Sequence, residues 1–169
     1  MMDVNFVACR AVTEQMLLAL VIWREARGES IPCRIAVGFT VLNRVGRPSW
    51  WGRDVCDVIG KAWQYSSMTA RGDVQLTTWP KLTDQTWLES LTLAAQILAG
   101  AVSTPTPGAD SYHDLSVGTP KAMATGRFCG QIGRIKFFDV DHDFEAMTLK
   151  ASKDEFGEKL RAWLADAKR

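Results

Sequence analysis

The sequence lacks a paired-cysteine motif. Cys9, Cys33, Cys56 and Cys129 are widely spaced and form no C-x-x-C pair, which excludes a zinc knuckle and a thioredoxin-type redox centre. A chain of 169 residues folds without disulfides, so reduced and mostly buried thiols are expected. Charge of one sign is also missing. With 20 basic against 19 acidic residues, interspersed along the chain, there is no footprint for nucleic acid or an anionic membrane. The longest apolar run, ending at Trp23, is too short and too soon charged to span a bilayer. Asp3 and Asn5 stand where a secretory signal would carry basic residues, so a product folded in the cytosol and not inserted in a membrane is expected. Repeats and low-complexity segments are absent. One domain over residues 1–169 is expected, since the length supports a single full core.

What is present begins with a helical hairpin. Leu17 to Glu25 has helical spacing and carries a carboxylate to the end of an apolar helix, where Gly28 is expected to supply a left-handed turn. Ser30 then reads as an N-cap, Pro32 falls in the first turn, and Ile35 to Val45 is apolar nearly all round, as a buried helix is. Asp54 reads as the cap of a short helix through Ile59. Thr86 and Glu89 form a capping-box pattern for a helix with Leu88, Leu91, Ala95 and Leu98 on its inner face, stopped by Gly100. Strand character is confined to Ser111–His113 and Arg134–Val140, separated by a glycine-punctuated stretch. A second capping box at Ser152–Glu155 opens a last helix with Phe156, Leu160, Trp163 and Leu164 in its stripe. The expected class is mostly α (α+β), a helical domain with a small β-hairpin element.

A glutamate at the edge of an apolar helix pair meets the first demand of general acid catalysis, because partial burial disfavours the charged form. Around Glu25 the residues form a pattern. Glu25-Ala26-Arg27-Gly28-Glu29, Leu42-Asn43-Arg44-Val45 and Gln64-Tyr65-Ser66 together resemble the cell-wall hydrolase family typified by spore-cortex-lytic enzymes. That family's marks are E-A-R-G-E, L-N-R-V and Q-F-S, with Tyr65 here in place of the phenylalanine. Gly108 to Tyr112 is similar to its G-A-x-x-Y, and Ile132, Gly133 and Phe137 to its I-G-x-x-x-F. Ser111 and Ile135 stand where the family often has histidines, so no role passes to those two positions.

The resemblance implies a lysozyme-like fold and cleavage of peptidoglycan glycan strands, with Glu25 as the acid at the bond between N-acetylmuramic acid and N-acetylglucosamine. A lytic transglycosylase is the first expectation, because no partner acid stands out and the muramic 6-hydroxyl can serve as internal nucleophile. A hydrolytic muramidase is the runner-up, and Asp110 and Asp114 are the acids that would make it one. A zinc amidase or a non-catalytic wall-binding or phage structural module are the readings from other classes. Gln64, Tyr65, Ser66 and Tyr112 are expected to bind the sugar. Glu29 is expected to bond free N–H groups at the start of the second helix, and Asn43 to bond the loop above the site. No cofactor is expected. The Asp139–Asp143 run fails as a calcium loop, with Phe144 and Lys150 where glycine and glutamate belong, and His113, Cys129 and His142 lack a zinc spacing. A phage-type endolysin, monomeric, held in the host cytoplasm and released to the wall with help from a holin, is the expected setting.

Overall fold

The computed structural model describes residues 4–47 and 51–141. The last helix read from the sequence, His142 and most of the Asp139–Lys150 pattern lie outside these residues. Helix α1 (Val4–Ala26) is longer than the apolar run that announces it, and only its second half enters the core, from Leu18 to Trp23 and at Ala26. Helix α2 (Ile31–Val45) buries Cys33, Ala36, Val37, Thr40 and Val41 against it, and α3 (Val55–Gly60) is capped by Asp54, which accepts from Asp57 N. A single turn, α4 (Ser66–Thr69), and a 3-10 turn (Val74–Thr77) lead to α5 (Gln85–Leu98). The chain then forms β1 (Ser111–Asp114), the short α6 (Lys121–Ala124), β2 (Arg127–Ile132) and β3 (Ile135–Asp139). No described helix is long and apolar enough to cross a membrane.

The end of α1 is not closed by a left-handed glycine, since Gly28 is not among the residues with positive φ. Arg27 N and Glu29 N close it by bonding back to the Trp23 and Ala26 carbonyls, and Arg34 braces the turn that follows. Arg34 reaches back from α2 to donate to the Arg27 and Glu29 carbonyls, and it pairs with Glu89 of α5 at 2.7 Å. The carbonyls of a turn need donors too, and a guanidinium from the next helix supplies several at once. Ser30 occupies the N-cap position of α2 without a side-chain bond. Among the described residues the Glu29 carboxylate accepts none of the α2 N–H groups either; it faces the β2–β3 turn, 3.5 Å from where a Cβ on Gly133 would lie.

Helix α5 starts earlier than the Thr86 pattern suggests. Asp84 is its N-cap, accepting from Thr86 N and Trp87 N on one oxygen and from Trp23 Nε1 on the other. Its buried face is Trp87, Ser90, Leu93, Ala94 and Ile97, about one residue's rotation from the leucine-based expectation, so Leu88 and Leu98 face solvent. The reason is steric. Gly38 of α2 lets Ile97 and Ile22 meet over it, where an added Cβ would lie 2.6 Å from Ile97 Cδ1. Gly100, at φ 66°, ends the helix as expected.

The sheet has three antiparallel strands in the order β1-β3-β2, rather than a lone hairpin. Strand β2 arises inside the stretch read as a separator, because Gly130 interrupts its alternation at a bulge: the register slips between Phe128 and Gly130, which sits at φ 149°. All four cysteines are free, but only Cys33 is buried, with burial pushing its thiol up to about 12. Cys9 is exposed and the other two are half-buried, contrary to the expectation of mostly buried thiols.

The dual use of Asp84 gives a direct test of the helix start. Asp84→Ala should lower unfolding free energy by about 1–2 kcal/mol in a denaturant titration, whereas Thr86→Ala should leave it within about 0.5 kcal/mol. Equal losses would return the cap to Thr86.

Candidate active site

Glu25 lies in the last turn of α1, partly exposed, at the floor of a cavity of about 490 Å³. Its two oxygens are each taken by a hydroxyl. Ser67 Oγ donates to Oε1 in a short bond, and Tyr112 Oη donates to Oε2 at 2.8 Å. Hydroxyls can donate to a carboxylate and accept from a carboxylic acid, so both partners suit either protonation state. The Tyr112 phenol is held well above its ordinary range by burial and then by the Glu25 charge, so it remains a donor.

Each partner is positioned by its own element. Ser67 belongs to α4, and its carbonyl accepts from Arg24 Nη1 at 2.9 Å. Arg24 is buried and also donates to the Thr78 and Leu76 carbonyls, while Nη1 contacts Met68 Sδ. One guanidinium, a residue before Glu25, thus ties the whole 67–78 segment to α1. Tyr112 sits on β1, its ring 5.9 Å from that of Phe137 on the neighbouring strand.

The end of α2 sets where β1 begins. Asn43 Nδ2 donates to the Ala109 carbonyl at 2.7 Å, the bond to the overhead loop that the sequence suggested, and Arg44 Nε donates to the Asp110 carbonyl at 2.7 Å. Arg44 also reaches the Gln64 carbonyl and Oε1, with its guanidinium between the Trp51 and Tyr65 rings at 4.5 and 4.6 Å. That cation forms part of the cavity wall, yet its bonds go to the loops rather than to Glu25.

Gln64, Tyr65, Ser66 and Tyr112, named from the sequence, all line the same cavity as Glu25. Their accessibility separates them. Tyr65 is only 2% exposed, with its hydroxyl 3.1 Å from Thr40 Oγ1, so it anchors the loop and offers no free face for stacking. Trp63 does offer one. It lines the cavity at 87% exposure, on a backbone with φ 69° that a bulky residue rarely adopts. Ser67, Arg24 and Trp63 were missed by sequence reasoning; in a run Gln64-Tyr65-Ser66-Ser67 nothing says which hydroxyl turns inward.

The rival acids are elsewhere. Asp110 is fully buried and accepts from Val140 N, Asp141 N and Arg47, with burial pushing its carboxyl up against the pull of those donors. Asp114 pairs with Arg134 at 2.6 Å, and that bond holds it far below the usual carboxylate range. Neither lines the cavity; among the described residues that do, Glu25 is the only carboxylate. His113 stacks on Phe138 and has its ring nitrogens near the Asp114 carbonyl and Thr119. Glu14, Asp54 and Cys56 bring possible metal-ligand atoms within 4.8 Å of one another away from this site, but Arg10 already bonds both carboxylates.

Comparisons with known proteins agree with this architecture. The chain is similar in structure to the catalytic domain of the Bacillus cereus SleB protein, with TM-score 0.59 and 24% identity over 74% of this chain and 88% of that one. It is similar also to the catalytic domain of the germination-specific lytic transglycosylase SleB from Bacillus anthracis, with TM-score 0.59 and 23% identity over 74% of this chain and 93% of that one. The fold is therefore lysozyme-like, helix-rich with a small antiparallel sheet. No individually curated protein matches the sequence. The Cell Wall Hydrolase profile matches residues 28–138, well over half of the chain, from just past Glu25 to the end of the sheet, and the protein belongs to that family.

Proposed function

We propose that the protein is a lytic transglycosylase that cleaves the MurNAc-β-1,4-GlcNAc bond of peptidoglycan with Glu25 as its one catalytic carboxylate. The observation that carries this reading is the isolation of Glu25: both its oxygens meet hydroxyls, and no second acid lines the cavity among the described residues. The similarity to a Bacillus anthracis domain described as a lytic transglycosylase supports the same class.

The chemistry balances with one group. Protonated Glu25 gives its proton to the glycosidic oxygen as the bond from muramic C1 breaks and positive charge builds on the sugar. The muramic 6-hydroxyl, tethered to the reacting ring, then closes on C1 and returns its proton to the Glu25 carboxylate. A 1,6-anhydro end is formed and no water is consumed. An inverting hydrolase would need a base for water, and a retaining one a second carboxylate about 5 Å from the acid. The cavity wall offers Gln64, Ser66, Ser111 and the open face of Trp63 for the sugar's polar arms and ring.

Two measurements test this. Glu25→Gln, near-isosteric, should fold like the wild type and lower peptidoglycan turnover by about 10²–10⁴-fold or more. Mass spectrometry of the wild-type digest should find muropeptides lighter than hydrolysed ones by a water molecule; reducible muramic ends would establish a muramidase instead. Tyr112→Phe separates positioning of Glu25 from sugar binding. Loss of its bond to a carboxylate should lower kcat by about 10–100-fold with KM nearly unchanged, whereas a rise in KM alone would make Tyr112 a substrate-binding residue, as read from the sequence.

We further propose a phage-type endolysin setting, in which the monomer collects in the host cytoplasm and reaches the wall once a holin opens the membrane. Its support is the chain's near-neutral charge and lack, among the described residues, of a membrane-spanning helix. Expression in the cytosol should leave cells intact until a holin is co-expressed, and lysis without one would overturn this setting.

A further inference from the structure

Across the end of α1 from Glu25 lies a second cleft, of about 350 Å³, lined by Trp23, Arg27, Thr78, Trp79, Lys81, Thr83 and Asp84. Its direction follows from helix geometry. Residues 23 and 27 are a turn apart, and both project about 160–200° from residue 25 at 3.6 residues per turn. This cleft is thus no extension of the catalytic cavity, being separated from it by the width of a helix.

Its chemistry is that of an anion site with an aromatic wall. Trp79 is 69% exposed, with the Arg24 guanidinium on one face at 4.9 Å, which leaves its other face open. Arg27 covers the buried Trp23 ring at 4.6 Å and spends only Nη1 on Gln75. Lys81 is exposed and makes no ion pair among the described residues. Asp84 is the one acid in the wall, and its oxygens are occupied by Trp23 Nε1 and two backbone N–H groups of α5. The surplus is positive, and a planar cation beside an open indole suits a ligand with carboxylates on a partly apolar chain.

We propose that this cleft is a second, non-catalytic peptidoglycan site that takes the carboxylate-bearing peptide stem of a strand other than the one being cut. The proposal rests on the peptidoglycan reading above. Given that substrate, the stem is its carboxylate-bearing part, whereas the glycan is largely neutral. A site a helix away from Glu25 engages a neighbouring strand, and each engagement raises the effective concentration of the next bond at the catalytic cavity. Trp79 and Lys81 carry the recognition, and both are exposed enough to be changed without opening the core.

The experiment uses sacculi stripped of secondary anionic polymers and the full-length Glu25→Gln protein, so that binding is read without turnover. Trp79→Ala and Lys81→Glu in that background should each weaken co-sedimentation by about tenfold, and added salt should weaken the parent's binding too. A soluble stem peptide should compete, and a neutral N-acetylglucosamine oligomer should not. In a protein with Glu25 intact, Lys81→Glu should leave cleavage of short soluble glycan unchanged. Undiminished binding by both variants, competition by the neutral oligomer alone, or loss of soluble-glycan cleavage on Lys81→Glu would each overturn the second site. A wild type that released no muropeptides would overturn the proposed function instead, while Trp79-dependent binding would still be read separately.

Discussion

The cavity exists because Arg47 holds two buried carboxylates at once. It donates to Asp139 at 2.5 Å and to Asp110 at 2.9 Å, just beyond the end of α2, and Arg127 of β2 adds a second cation on Asp139 at 2.7 Å. Burial works against the charge on Asp139, but the two guanidinium groups outweigh it and keep its carboxyl below the ordinary range. A small sheet of three short strands is stable only with an apolar face to bury or a helix to pack against. Its attachment to the helices runs through this ion cluster and through Phe137 and Ile135, which enter the helical core. Gly108, at φ 80°, lets the chain pass under the cluster, since a Cβ there would lie 2.8 Å from Arg127 Nη2. Two residues past Asp110 the same strand presents Tyr112 to Glu25, so the geometry at the acid depends on the ions at the sheet's edge.

Much of the helical frame was legible because its signals are local. Asp54 caps α3, Pro32 falls in the first turn of α2, and Gly100 stops α5, each through backbone chemistry that one or two residues decide. The misreadings share another cause. Arg34 braces the turn after α1 where a left-handed glycine was expected, Asp84 replaces Thr86 because Trp23 also needs its oxygen, and Ile97 replaces Leu98 in the core because Gly38 makes room on the facing helix. Each depends on a partner 7 to 61 residues away, which periodicity within a window does not register.

The candidate site divides the same way. Glu25 was legible from its place at the end of an apolar run and from the motif around it, and Gln64, Ser66 and Tyr112 came with the motifs. The division of labour among them was not legible. Tyr65 reads as an aromatic for the sugar, but Thr40 and Arg44 bury it as a brace; Trp63, two residues earlier, carries the open face. Asp110 and Asp114 read as rivals for the second acid until the ions that claim them are seen, and those ions come from Arg47 and Arg134, distant in sequence.

Arg24 shows how a site with a single acid is kept that way. Its guanidinium is buried beside Glu25 in the chain, and desolvation lowers its pKa, with only a weaker opposing pull from Asp73. A buried cation is ordinarily stabilised by a carboxylate. Here it is satisfied by the carbonyls of Ser67, Leu76 and Thr78, whose dipoles carry no net charge and cannot take a proton at neutral pH. An acidic partner in their place would put a second carboxylate close to Glu25, and two such groups at close range perturb each other's ionisation. By using carbonyls, the fold fastens Ser67 onto Glu25 and adds no competing acid to the cavity. The lone carboxylate is therefore a property of how the loop is tied to α1, as much as of which residues line the wall.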